Sequence, residues 1–255
     1  SQITADDGTV TEVRTYIMIF LRSLKLAIIS TVICLLMGYP LAYIMASKGP
    51  KKQSTMTMLI MLPMWMNFML RILAWKQLLS KNGVINSLLA TIGFNRIEIM
   101  NTPTAVVLGM VYDFLPFMLL PIYNSMARIK HDWIEAARDL GATKPQAMMK
   151  VLIPGIKSGI ISALTFTFIP IFGAYTVPLL VGGKDSYMLG NVIVDQVQKT
   201  RNWPLAAAFS MVITIISIVG ILWISFANNK DSKLKKSVAK EEVYLSSLNT
   251  KGIKK

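Results

Sequence analysis

Cysteine and histidine occur once each, as Cys34 and His131, and this scarcity excludes several chemistries at the outset. One thiol allows neither a disulfide framework within the chain nor a cysteine-built metal site. One imidazole argues against a histidine-built metal site or a Ser-His-Asp triad. No glycine loop of the phosphate-cradling type is present. Acids are few as well, 13 Asp and Glu against 27 Lys and Arg, and only 16% of residues are charged. Catalysis within this chain is not expected, and neither is a resident metal or cofactor.

Apolar residues fill the space that these leave. They make up 53% of the chain, and the mean hydropathy is +0.51, more than a soluble domain can bury. A spanning helix needs about 20 mostly apolar residues. Five windows qualify: 24–46, 56–75, 104–127, 158–181 and 205–228. The expected fold is all-α, a polytopic membrane helix bundle.

Charge orients it. The 47–55 connection, the 128–157 loop and the segment from 229 onward together hold 17 of the 27 Lys and Arg, against 8 in 1–23, 76–103 and 182–204. The positive-inside rule makes the first group cytoplasmic. Residues 1–23 then form an external segment, 24–228 the transmembrane domain and 229–255 a basic cytoplasmic tail. The net charge of +14 reflects this topology and attraction to lipid headgroups. Nucleic acid is not an expected partner, since no basic domain interleaved with aromatics is present.

Six of the eleven prolines, Pro40, Pro63, Pro116, Pro121, Pro170 and Pro178, fall inside apolar windows. Each removes a helix hydrogen bond, and lipid cannot satisfy the carbonyl left behind. A packed bundle around a pathway accommodates them better than separate rods, although proline is also ordinarily frequent in membrane helices.

Two charges stand in the spans at a cost. Asp113 lies nine residues into its window, about 13 Å along the axis, and Arg71 lies near the outer end of the second window. Two roles fit them. They pair with each other and lock two helices together, or Asp113 lines a cavity that attracts a cation, with Tyr112, Trp65 and Tyr175 offering aromatic faces. At helical spacing such aromatics also serve as simple packing.

The most polar folded-looking stretch is HDWIEAARDLGATKPQAMMKVLIPG, residues 131–155. Asp132 and Glu135 have capping-box spacing, Gly141 is a natural C-cap, and Thr143 with Gln146 starts a second helix that carries Pro145 in its first turn. The result is a helix, a tight turn and a helix, with Trp133, Ile134, Ala137 and Leu140 on one side. Such a unit is suited to receive force from a partner. It is also compatible with lying on headgroups through Lys130, Lys144 and Lys150.

Within this stretch, Glu135, Ala136, Ala137, Gly141 and Pro154 resemble the cytoplasmic EAA loop of binding-protein-dependent ABC importer permeases. That pattern is EAA, three residues, Gly, nine residues, then I-x-L-P, and Val151 and Ile153 stand at the Ile and Leu positions. The segments GYPLAYIMA, LPMWMNFMLRILAWKQLLSKNGVINSLL, YDFLPFMLLPIYNSM, LLVGGKDSYMLGNVI and NWPLAAAFS are similar to permeases of the spermidine/putrescine importers. The resemblance implies a type I ABC importer permease fold (MetI-like) with six spans, so a leading helix is expected ahead of the five visible here.

It also implies a multi-pass protein of the bacterial inner membrane. Its partners would be a second related permease subunit, a homodimeric ATPase that holds ATP and Mg, and an extracytoplasmic polyamine-binding protein. The ATPase contact would fall on Glu135, Ala136, Ala137, Asp139, Gly141 and Pro154. Asp113, Tyr112, Trp65, Tyr175 and Arg71 are the pathway candidates, and the outward acids Glu98, Asp185 and Asp195 are candidates to meet the binding protein.

Overall fold

The computed structural model describes residues 7–129 and 131–222, and its elements are helical, with no strand among the described residues. The chain divides into two units, Ser1–Ile213 and Thr214–Lys255. The second is described over 214–222 alone, as helix. The basic tail proposed for 229–255 lies outside the described residues.

The first helix is longer than its apolar window. Helix α1 runs Asp7–Ala46, with an apolar section Arg14–Ala46, so helix already occupies much of the segment 1–23 read from sequence as a separate external stretch. Pro40 remains inside it.

The second window behaves differently. Helix α2, Pro50–Met61, tightens into a 3-10 turn at Leu62–Trp65, and α3, Phe68–Leu79, starts afresh. The two arms, Pro50–Trp65 and Phe68–Thr91, meet at 91°. The single straight span expected over 56–75 is therefore a broken one. Asn67 makes the restart possible, because its side chain accepts from Met69 N–H at 2.9 Å and Leu70 N–H at 3.4 Å, two donors that a new helix leaves open. Helix α4, Val84–Thr91, completes this arm.

Helix α5, Pro103–Met126, opens with Thr102 capping Ala105 N–H and Pro103 in its first turn, and it keeps Pro116 and Pro121 inside. After it come α6 (His131–Asp139), α7 (Lys144–Ala147), a π turn at Met148–Leu152, and α8 (Ile153–Gly155). Helix α9, Lys157–Phe172, follows at a 69° bend. The fourth window, expected to be continuous over 158–181, stops at Gly173 and resumes as α10, Thr176–Val181. Helix α11, Leu189–Gln198, and α12, Trp203–Leu222, end the described chain. Three helices can cross a membrane alone, or five spans form if each bent pair counts as one.

The core lies where α1, α5 and α9 pack together. In lipid, apolar side chains gain little by leaving one greasy surface for another, so helix association depends on close packing through small residues. Those residues stand at the crossings. Gly38 faces Met118, Gly109 faces Val177, and Gly159 sits so tightly on Ser125 that a Cβ would overlap its Oγ. Cys34, Ala42, Leu119, Ile122 and Ala163 fill the space between.

Candidate functional site

The polar loop is built from its own hydrogen bonds. Helix α6 ends in a Schellman motif, with Ala142 N–H donating to Ala137 C=O at 3.0 Å and Gly141 N–H donating to Arg138 C=O at 2.9 Å. Gly141 adopts φ +90°, with open space where a Cβ would stand, so glycine is required there by backbone conformation alone. The next helix starts as expected on one side: the Gln146 carbonyl oxygen accepts from Thr143 N–H at 2.9 Å. The Asp132 half of the first capping box lies outside the described side chains.

The π turn ends at Leu152, two residues before Pro154. A proline ring clashes with the carbonyl four residues back and supplies no N–H, and the widened turn takes up this mismatch.

Of the six residues proposed for a partner contact, Glu135, Ala136, Ala137, Asp139 and Gly141 gather on α6 and its cap. Glu135, Asp139 and Gly141, with Arg138, Ala142 and Thr143, line an open groove of about 530 Å³. Pro154 lies apart from them, exposed on α8. The apolar side of the loop divides in two. Ile134 packs against the core beside Leu152, whereas Trp133 is 56% exposed and Leu140 is 90% exposed, an apolar edge with no cover from the described chain.

The two intramembrane charges meet. Arg71 Nε lies 2.5 Å from Asp113 Oδ1, and the side chains are only 9% and 1% exposed. The contact is one of close opposite charges without hydrogen-bond alignment at Nε. The guanidinium does more than neutralise the acid. Its Nη1 donates to the Pro63 carbonyl at 2.8 Å, and its carbon stands 5.6 Å from the centre of the Phe68 ring. Arg71 thus joins α3, α5 and the break that follows α2.

Of the two roles weighed for Asp113, the ion-pair contact is the one present in this conformation. The aromatic candidates stay outside it. Tyr112 is partly exposed and packs edge-on against Trp75. Trp65 is 76% exposed at the α2–α3 break, and Tyr175 is partly exposed at the α9–α10 break.

The three outward acids each have a partner. Glu98 pairs with Lys81 at 2.7 Å, and that hydrogen bond and charge hold its carboxyl below the usual range. Asp185 stands 3.9 Å from Arg22. Partial burial works against ionisation of Asp195, but the hydrogen bonds from Lys199 and Tyr187 outweigh it and hold the carboxyl below its ordinary value.

Sequence reasoning missed the amides that shape these loops. Buried Asn86 donates to the Ser80 and Ile97 carbonyls and accepts from Ile97 N–H. Asn191 donates to the Tyr175 carbonyl and accepts from Met188 N–H. The Asn86 partners lie in irregular backbone that no spacing rule marks, whereas Asn191 has the N3 reach-back spacing to Met188 at the start of α11, without the Ser, Thr or Asp that signals a cap.

The arrangement of broken apolar helices around a tight core, with one self-capped loop, has known counterparts. Residues 38–230 match the sequence profile of the binding-protein-dependent transport system inner membrane component family. The chain belongs to that family. It is a multi-pass inner-membrane transport component.

Among curated relatives, the spermidine/putrescine transport system permease protein PotB of Escherichia coli K12 is 39% identical over 203 residues, covering 79% of this chain and 74% of the relative. PotB of Haemophilus influenzae is 36% identical over 217 residues, covering 84% and 76%. The inner membrane ABC transporter permease protein YdcU of E. coli K12 is 32% identical over 212 residues, covering 78% and 67%. Among solved structures, a bacterial ABC transporter involved in the import of the acidic polysaccharide alginate aligns with a TM-score of 0.73 at 17% identity, covering 90% of this chain and 85% of that one. An amino acid ABC transporter aligns with a TM-score of 0.54 at 20% identity, covering 88% and 98%. These structures establish the shared importer-permease fold.

Proposed function

We propose that this chain forms one half of the membrane pathway of an ATP-driven importer for polyamines of the spermidine/putrescine class. The observation that carries this reading is the 39% identity with a spermidine/putrescine permease over most of both chains. In this reading a second permease subunit completes the pathway. A homodimeric ATPase holds ATP and Mg, and an extracytoplasmic binding protein delivers the substrate.

The loop is the point of force transfer. Helix α6 keeps its shape through its own Schellman cap, so it moves as a unit when the ATPase pulls on it. Glu135, Ala136, Ala137, Asp139 and Gly141 form the docking surface, with exposed Leu140 and Trp133 as its apolar edge. Pro154 fixes the return of the chain to α9. Transport requires that the substrate bind the two states with different affinity, since equal binding shifts nothing.

Asp113 is the cation site in this proposal. Here Arg71 neutralises it. An arriving ammonium group would exchange one cation for another, so the buried carboxylate never stands uncompensated. Trp65, Tyr112 and Tyr175 offer faces to the extended cation, and Glu98, Asp185 and Asp195 meet the binding protein.

The test is ATP-dependent uptake of labelled spermidine into vesicles that hold this chain with its partner permease, ATPase and binding protein. Uptake is expected, and Glu135→Arg is expected to abolish it while leaving assembly of the two permeases intact. Undiminished uptake in Glu135→Arg would remove the coupling assignment. Import of a different small solute, with spermidine excluded, would remove the polyamine reading.

A further inference from the structure

Helix α1 carries a cation at a groove wall that no acid among the described residues answers. Lys25 is exposed within the apolar section Arg14–Ala46 and has no acidic partner among the described residues. Its neighbours at four-residue spacing are Leu21, Ile29 and Ile33, which places all four on one helical face. That face is one wall of a groove of about 680 Å³, whose opposite wall is the start of α5 from Pro103 to Val107.

The charges at the mouth of this groove are unequal. Arg22 and Asp185 both line it and stand 3.9 Å apart, so their charges offset each other, and Arg22 also donates to the Lys184 carbonyl at 3.0 Å. Lys25 is not offset. The amino end of α5 also borders the groove, and the partial positive charge of a 24-residue helix adds to that of Lys25. The mouth therefore holds about one uncompensated positive charge, while the groove below it is apolar.

Depth identifies the occupant. Ala46, at the far end of α1, lines the cavity beneath the polar loop together with Ile134. Lys25 precedes Ala46 by 21 residues, about 30 Å of helix, which is the thickness of the hydrocarbon core of a bilayer. Lys25 thus stands at the opposite headgroup level, with Ile29 and Ile33 pointing the groove back toward the membrane interior.

We propose that this groove between α1 and α5 binds an anionic phospholipid, its phosphodiester on Lys25 and one acyl chain along Leu21, Ile29, Ile33 and Val107. The inference rests on the membrane location of the chain and is independent of its substrate. A single negative phosphodiester matches Lys25, the one cation of the groove lining without an acidic partner among the described residues. A zwitterionic headgroup would bring a second ammonium beside Lys25 and Arg22, and a dissolved phosphate would leave the apolar wall exposed.

The experiment is native mass spectrometry of the full chain, purified from nanodiscs of equal phosphatidylglycerol and phosphatidylethanolamine. Wild type is expected to retain phosphatidylglycerol selectively. Lys25→Gln is expected to retain about fivefold less, the effect of one lysine near an anionic lipid surface. Lys76→Gln, the same change at an exposed lysine outside the groove, is expected to match wild type. Equal retention of the two lipids, or equal loss in both variants, overturns the proposal.

A second arm needs no variant. A photoactivatable phosphatidylglycerol, cross-linked to wild type and mapped by peptide, is expected to label the segment 21–33. Labelling confined to other helices, or full protection of 21–33 by glycerol phosphate alone, overturns the proposal.

Discussion

Arg71 Nε and Asp113 Oδ1 stand 2.5 Å apart between α3 and α5, and the same guanidinium donates to the Pro63 carbonyl at the break after α2. One side chain therefore neutralises a buried acid and also gives a second donor to a carbonyl at the bend that already accepts from Met66 N–H. Removing either partner leaves the other charge stranded. Asp113→Asn and Arg71→Leu are each expected to destabilise the protein by about 3–5 kcal/mol, whereas the joint apolar replacement Arg71→Met with Asp113→Leu recovers most of that loss. Thermal unfolding of the four proteins in nanodiscs checks this, and additive single effects would refute the coupling. Spermidine uptake separates the roles: a purely structural pair lets the double variant transport, while a cation site at Asp113 does not.

Gly141 has a sharper test, because its requirement is conformational. At φ +90° with nothing near a Cβ, Gly141→Ala adds no clash and costs about 1–2 kcal/mol of left-handed strain. Gly93, at φ +87° and equally open, supplies the control. Both alanine variants are expected to lose similar stability. Only Gly141→Ala is expected to speed amide exchange at the end of α6 and to lower uptake per ATP hydrolysed. Equal effects on coupling would show that the α6 cap has no special part in it.

Gly159 tests the packing of α5 on α9. A Cβ there would overlap Ser125 Oγ and stand 3.0 Å from the Pro121 carbonyl oxygen. Gly159→Ala must push the helices apart, at an expected cost of about 1–3 kcal/mol. Ser125→Gly in the same chain should return part of it by vacating the hydroxyl and its carbon. Melting temperatures decide the matter, and no rescue would place the contact elsewhere.

Asp195 predicts a pH response at the outer end of α11. Its carboxyl is held below its ordinary value of 3.8 by bonds from Lys199 and Tyr187 that outweigh partial burial. A depressed carboxyl contributes stability that is present in full above the unfolded value and lost as pH falls through the lower folded one. A spin label at Arg201→Cys should therefore stay immobile down to about pH 4 and loosen below it. Tyr187→Phe removes one stabilising donor and should move the onset upward. An onset unchanged by Tyr187→Phe would mean that another group governs the transition.

The polar loop was legible in sequence because its determinants are local. The Gly141 cap, the Thr143–Gln146 reach-back and the Pro154 interruption each involve residues within five positions of one another. The apolar windows were legible for a similar reason, since hydrophobicity is a property of each residue. Six intramembrane prolines, by contrast, look alike in sequence and behave differently in the fold. Pro40, Pro116, Pro121 and Pro170 stay inside helices, Pro178 sits in the first turn of α10, and Pro63 precedes a 91° break.

The difference at Pro63 comes from what meets the freed backbone. Asn67 caps the new helix and Arg71 reaches the Pro63 carbonyl, and Arg71 is in turn held by Asp113, 42 positions away (113 − 71). The bonds from Asn86 to the Ile97 carbonyl and from Asn191 to the Tyr175 carbonyl depend in the same way on irregular backbone that exists only after folding. Sequence by itself determined a helical membrane chain with one self-capped loop, because local hydrogen bonding and apolarity act over a few residues. Tertiary structure decided where the spans break, which charges pair and which lysine lines the groove between α1 and α5, because each of these requires two distant segments to meet.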